Sequence, residues 1–200
     1  MRPQIIDRLS KIFLMLPGIG QRQAARFAYW LVDADSSVID SLKSYLDEIK
    51  TARRCSDCFR VHAGEGVCSI CKDASRDGAK IAVVEKDTDL ENMEKSGVYD
   101  GKYHVLGGLL STLDRESRDR LRLKEIFSRV KNDGKIREII LALSATPEGE
   151  FSSRYIEKII EPLAQKRRLK ITRLGRGISS GAELEYLNRE TIQNALENRR

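Results

Sequence analysis

No stretch of this 200-residue chain approaches the length of a membrane span, so a helical integral membrane protein is not expected. The opening residues, MRPQIIDRLSKIFLML, are apolar in places, but Asp7, Arg8 and Lys11 interrupt them. They lack an uncharged core and a small-residue cleavage site, so they do not read as a secretory signal, and a cytoplasmic protein is expected. Internal repeats and low-complexity tracts are missing as well. Acidic residues are in the minority: 36 Lys and Arg stand against 30 Asp and Glu, a formal net charge of +6. A pI near 9.2 favours an anionic partner, nucleic acid before membrane. A hydrophobic share of 40% with 33% charged residues leaves enough core for one large domain or two small ones.

Cysteine is scarce, and all four fall in one short segment, RCSDCFRVHAGEGVCSICKD. The spacing is Cys55-x2-Cys58 and Cys68-x2-Cys71, with nine residues between the pairs. Each C-x2-C turn curls two thiolates to one side, and two such turns supply the four soft ligands of a tetrahedral zinc ion. A closed four-thiolate site has no open position, so its role is structural. Redox pairs or disulfides are the alternative, which a cytosolic setting disfavours. His62 lies between the pairs and is read as a surface residue rather than a ligand.

Around this insert the chain divides into four parts. Residues 1–52 read as helical, with Ile5, Ile6, Leu9, Ile12, Phe13 and Leu16 keeping an i, i+3, i+4, i+7 stripe. A second helix carries Ala24, Phe27, Ala28 and Leu31, and a third carries Val38, Leu42, Tyr45, Leu46 and Ile49. Residues 53–78 form the small metal-dependent insert. Residues 79–174 alternate strands and helices: KIAVVE, then DTDLENMEKSG capped by Asp87 or Thr88, then YHVLGG. The amphipathic helix SRDRLRLKEIFSRVKNDG, the strand KIREIILAL, the helix GEFSSRYIEKIIEPLAQKR and the strand LKITRL follow. This order predicts a multidomain α/β protein with a mainly parallel sheet. Residues 175–200 are Gly- and Ser-rich, then helical, with Leu184, Leu187, Ile192 and Leu196 apolar.

LPGIGQRQAARFAYWL places Gly18 and Gly20 in a tight turn that opens a helix. Both glycines are expected to permit positive φ and close backbone approach. The first amides of the helix would then face outward, where a phosphate can sit. Arg22 and Arg26, spaced i, i+4, share the helix face beside that turn. This is the sequence form of a helix-hairpin-helix, which grips DNA phosphates without reading bases. The alternative is a plain helical hairpin with solvated arginines. Phe27 and Trp30 are read as core residues.

Glu85 ends the first strand of the α/β part, and Glu148 and Glu150 follow REIILAL. In a parallel sheet these strand ends share one edge, where Glu85 can face the other pair across a crevice and hold Mg²⁺. Asp87 and Asp89 would join them or cap a helix. The competing reading is that Glu148 and Glu150 start a helix, where negative charge is favourable.

An acid after one strand and an acidic pair after a later strand resemble the Toprim domain of type IA topoisomerases, DnaG-type primases and some nucleases. Those carry Asp-x-Asp where this chain has Glu148-x-Glu150, a departure that counts against metal catalysis. The full order is similar to the RecR family of bacterial recombination mediators: LPGIG, C-x2-C…C-x2-C, VVEKDTDLENMEKSGVYDGKYHVLGGLLSTLD, TPEGE and TRLGRGISSGAELEYLNRETIQNAL. Ser144 and Ala145 stand where an Asn is commoner before Thr-x-Glu-Gly-Glu. The resemblance implies a non-enzymatic DNA-repair protein that acts with RecO, and in some settings RecF, to load recombinase on gapped or single-stranded DNA. It further implies ring-like homodimers or homotetramers, DNA contacts at Arg22 and Arg26, and partner docking or weak Mg²⁺ binding at Glu85, Glu148 and Glu150. A Toprim-type Mg²⁺ nuclease or strand transferase is the alternative. Covalent Toprim chemistry needs a tyrosine, and none of Tyr29, Tyr45, Tyr99, Tyr103, Tyr155 and Tyr186 sits in such a setting.

Overall fold

A computed structural model describes residues 2–111, 113, 114 and 116–199, with the side chain of Ser117 left out. The chain divides into two compact units, one up to Ala52 and one from Arg53 onward.

The first unit contains α1 (Gln4–Phe13), α2 (Gln21–Asp33) and α3 (Ser36–Glu48), followed by a 3-10 turn over Ile49–Thr51. Three small residues, Ala24, Ala25 and Ala28, are buried on α2 and let α1 approach closely through Ile6 and Ser10. Ser10 Oγ donates to the Ile6 carbonyl at 2.7 Å, which satisfies a hydroxyl that would otherwise be buried without a partner. Phe13 and Phe27 close the top of the pair edge to face, with centroids 5.8 Å apart. The third helix forms where its apolar spacing predicts, but none of its residues is buried.

The second unit begins with a hairpin of β1 (Arg53–Arg54) and β2 (Val61–His62) and a short α4 (Ser69–Lys72). A four-stranded parallel sheet follows, built from β3 (Asp77–Val84), β4 (Gly101–Val105), β5 (Glu138–Ala142) and β6 (Lys170–Arg173) in the order β4-β3-β5-β6. The sheet is crossed by α5 (Asp87–Ser96), α6 (Ser117–Arg120), α7 (Leu123–Asn132) and α8 (Pro147–Arg167), and α9 (Arg189–Glu197) ends the chain. The predicted α/β class and parallel sheet are what is observed.

The central strand β3 explains the layering. Its side chains alternate between faces, and both faces are covered, so the run Ile81-Ala82-Val83-Val84 is wholly buried. Ile81 and Val83 join Ile126, Ile139, Leu141, Ile156 and Ile160 under α7 and α8. Ala82 and Val84 join Leu90 of α5, Tyr103, Val105 and the cysteines Cys55, Cys58 and Cys68. Each aliphatic side chain buried this way contributes about 1.5–3 kcal/mol.

Three local differences from the sequence reading have physical causes. The helix expected from Ser117 to Gly134 is broken, because Leu121 is extended and Arg122 N donates to the Leu106 carbonyl at 3.0 Å. The cap of α5 is Lys86, not Asp87 or Thr88: Asp89 reaches back to the Lys86 amide at 3.0 Å. Helix α8 begins at Pro147 rather than Gly149, with Thr146 as N-cap accepting from Gly149 N at 3.2 Å.

Arg76, Glu94 and Tyr103 form a half-buried polar clasp between the metal-binding segment, α5 and β4. Arg76 donates twice to Glu94, at 2.9 and 2.5 Å, and Tyr103 Oη donates at 2.6 Å. Burial alone would raise the Glu94 carboxyl, but these donors outweigh it and hold it below its ordinary range. A carboxyl lowered in the folded state stabilises above its unfolded value and loses that contribution as pH falls. Glu94→Gln is therefore expected to lower stability by about 1–3 kcal/mol at neutral pH and to flatten the acid limb of Tm below the ordinary value of 4.5, as read by thermal denaturation across pH.

Candidate functional site

In the first unit, the turn before α2 is built as the sequence suggests, with one difference. Gly18 has φ of +78°, which a residue with a Cβ rarely adopts, whereas Gly20 is extended at φ −90° and serves as the N-cap of α2. A Cβ at either glycine would meet nothing within 4 Å, so solvent reaches this turn freely. The Gly20 carbonyl accepts from Ala24 N at 2.9 Å, and the amides of Gln21, Arg22 and Gln23 begin the helix without an intrahelical acceptor. No acid lies in the first turn of α2. Arg22 and Arg26 are exposed, and neither makes an ion pair among the described residues. Trp30, read from the sequence as core, is 59% exposed.

In the second unit, the Sγ atoms of Cys55, Cys58, Cys68 and Cys71 lie within 4.8 Å of one another. Among the described residues this is the single group of three or more metal-capable side chains that converges. Three of the four are fully buried. Burial raises the Cys55 thiol, but amides of Cys58, Cys68 and Asp57 outweigh it and bring it down to about 6. Cys58 is pushed up by its hydrogen bond with Cys71 and by burial. Four thiols this close cannot all ionise unaided; a dication at their centre makes that arrangement favourable, and the donor set fits a soft tetrahedral ion. His62 stands outside the group, its Nδ1 donating to the Ala63 carbonyl at 3.1 Å.

The metal module is tied to the strand ends of the sheet. Lys102 Nζ donates to the carbonyls of Ile70, Cys71 and Asp73 at 2.9, 3.2 and 2.5 Å, gathering the C-terminal end of α4. Val105 N donates to the Cys58 carbonyl at 2.8 Å. Asp87 accepts from Val61 N at 2.7 Å and from Arg54 at 3.1 Å, so this acid is committed to the hairpin rather than to a metal. Phe59 takes a left-handed φ of +64° beneath the Arg122 guanidinium, 5.5 Å from its ring centroid, and packs edge to face on His104. His104 is buried, donates to the Arg122 carbonyl at 3.0 Å and is pushed down to about 3 by burial, so it is neutral. At Gly107, φ is +96° and a Cβ would strike the Arg122 guanidinium. The YHVLGG block is thus explained by the seat of Arg122, which sequence reasoning missed.

The three acids sit at the strand-end edge, but they do not converge. Glu85 follows β3 beside the point where the strand order reverses between β3 and β5. It accepts from Ser144 Oγ at 2.7 Å and pairs with Lys86 at 3.1 Å. Glu148 is exposed in the first turn of α8. Glu150 is clamped by Arg176 and by Arg173 at 2.9 Å, and Arg173 also holds Glu157 at 2.7 Å. Burial would raise Glu150, but these guanidiniums hold it below the usual carboxylate range. Gly149 has no room for a side chain, since a Cβ would collide with the Ser144 carbonyl oxygen. Lys86, Arg173 and Arg176 thus stand beside two of the three acids expected to share a crevice; Arg173 and Arg176 carry no sequence signal beyond their place in TRLGRG.

A metal ion held by the four thiols would supply folding energy to this segment, so a chelator is expected to abolish the proteolytic protection of residues 55–71. Limited proteolysis followed by peptide mapping reads this, and protection that survived chelation would count against a metal-stapled module.

A family model for the Toprim domain matches residues 79–175, and one for the RecR C-terminal region matches residues 177–200. The recombination protein RecR of Lactobacillus acidophilus is 36% identical over 198 residues, covering 98% of this chain and 97% of that protein. The RecR of Chlorobaculum tepidum is 39% identical over 198 residues, covering 97% and 95%. That of Dehalococcoides mccartyi is 39% identical over 197 residues, covering 98% and 92%. Near-complete coverage at this identity, with Toprim and C-terminal matches along a chain that also holds the four-cysteine cluster, means that the protein belongs to the RecR family of recombination proteins.

Proposed function

We propose that this chain is a non-enzymatic, DNA-binding mediator of recombination and repair in the cytoplasm, working at the nucleoid. In this reading it forms a clamp-like homodimer or homotetramer and acts with RecO, and with RecF, to load recombinase on gapped or single-stranded DNA. The observation that carries the DNA reading is the pair Arg22 and Arg26: two exposed guanidiniums without carboxylate partners among the described residues, one turn apart, beside the open Gly18–Gly20 turn and the free first amides of α2. Donors and charge so arranged suit phosphate oxygens and carry no means of choosing a sequence. The four-thiolate cluster is assigned one structural zinc ion per chain, a closed site with no position for substrate.

The Toprim acids are assigned to crevice organisation or partner docking. Hydrolysis through metal-bound water requires carboxylates free to hold the ion. Glu85 is engaged by Ser144 and Lys86, and Glu150 by Arg173 and Arg176. This supports a binding protein over a Mg²⁺-dependent nuclease or strand transferase, and leaves Mg²⁺ a weak ligand at most.

Arg22→Ala/Arg26→Ala is expected to weaken binding about equally on all DNA sequences and to reduce the slope of log K against log salt by about 2, one for each phosphate no longer neutralised. Anisotropy titrations at several salt concentrations measure this; an unchanged slope would move the DNA site elsewhere. Incubation of supercoiled and gapped DNA with Mg²⁺ or Mn²⁺ is expected to yield no nicks. Cleavage that disappears in Glu85→Ala and Glu148→Ala would make the protein an enzyme.

A further inference from the structure

The outward face of α2 carries more than two arginines. Arg22, Arg26, Tyr29 and Trp30 are spaced i, i+4, i+7 and i+8, which places them on one side of the helix along about 12 Å of its axis. The opposite side, Ala24, Ala25 and Ala28, is the one packed against the fold. Tyr29 and Trp30 are 46% and 59% exposed. Trp30 is the chain's single tryptophan, one of several large apolar side chains of this unit that reach solvent and the one that lines a hollow with Arg26 and Tyr29. Gln23, Arg26, Phe27, Tyr29 and Trp30 together line an open hollow of about 650 Å³, within the size range of ligand-binding clefts.

We infer that this face is a single-stranded DNA platform, on which Arg22 and Arg26 hold phosphates while Trp30, flanked by Tyr29, stacks an unpaired base. The inference rests on the phosphate reading of the two arginines and adds to it the kind of DNA that fits. Cationic side chains interleaved with exposed aromatic rings are the combination that single strands need, because the charge follows the backbone and every base has a face to stack. A duplex offers only its phosphates here, since its bases are already stacked on each other. The arginines by themselves would serve either form; the indole beside Arg26 favours the unpaired one. The occupant is chosen by charge: Arg26 lines the aromatic hollow and Arg22 stands one turn before it on α2, both without acidic partners among the described residues, which suits an anionic ligand with flat rings.

The lone tryptophan is its own probe. Titration of the full chain with oligo-dT is expected to quench its fluorescence saturably, and a duplex of equal length, bound at the same salt, is expected to quench it far less. Trp30→Leu should weaken oligo-dT binding about 5- to 150-fold by anisotropy of a labelled strand, the fold-change of one missing base stack. Trp30→Phe should restore most of it, because a ring remains. Circular dichroism and Tm establish that both variants fold. Binding by anisotropy with no quenching, and with Trp30→Leu unaffected, would overturn the stacking inference while leaving the phosphate reading intact. Unchanged binding in Arg22→Ala/Arg26→Ala would overturn the phosphate reading and this inference together. An indole that is insensitive to DNA, in an oligomer that dissociates on Trp30→Leu, would make this face a contact between copies of the chain and would also overturn the inference.

Discussion

The burial of β3 on both faces is the constraint from which the second unit follows. Because Ile81 and Val83 must be covered on one side and Ala82 and Val84 on the other, the sheet needs a layer on each face. Helices α7 and α8 supply one layer. On the other, α5 shares the work with the metal module, whose buried cysteines belong to the same apolar cluster as Val84 and Tyr103. A four-cysteine insert of this size has too few aliphatic residues to form a core of its own. Its stability therefore leans on packing against the sheet beside whatever a metal ion held by the four thiols would add, and the polar ties from Lys102, Asp87 and Val105 set its orientation.

The same strand sets the electrostatics of the edge. Ending β3 at Val84 delivers Glu85 to the reversal point of the strand order, and its neighbour β5 delivers Ser144 and the start of α8 beside it. In a site built to hold divalent cations, carboxylates stand together and await the ion. Here two of the three carboxylates are met by a cation or donor from their own chain, Lys86 and Ser144 for Glu85, Arg173 and Arg176 for Glu150, while Glu148 stands exposed. The second of these pairings links α8 to β6 and to the segment that leads into the C-terminal tail.

Helix α2 divides its labour in a comparable way. Alanines on one side allow a close helix pair, so long side chains can project from the other without serving the core. Exposed arginines cost little there, because they remain hydrated. Trp30 and Tyr29 reach solvent on the same face as these charges, so rings and guanidiniums stand side by side.

Much of this was legible from the residues. Period-3.6 stripes placed the helices, apolar runs placed the strands, and their alternation implied a parallel sheet, because those patterns depend on local geometry that the sequence carries directly. Two C-x2-C pairs foretold a converging thiol cluster for the same reason: each turn is local, and only the pairing of the two is not. What tertiary structure decided was which distant groups meet. The break at Leu121 depends on the Leu106 carbonyl, the seat of Arg122 on Phe59 and Gly107, and the clamping of Glu150 on Arg173 and Arg176. The sequence could place Phe27 and Trp30 on α2 but not say which of them faces solvent, since α1 covers only part of that helix. Spacing along the chain determines what can share a helix face or a strand end. Only the fold determines whether a carboxylate that arrives there finds a metal ion, a guanidinium or open water.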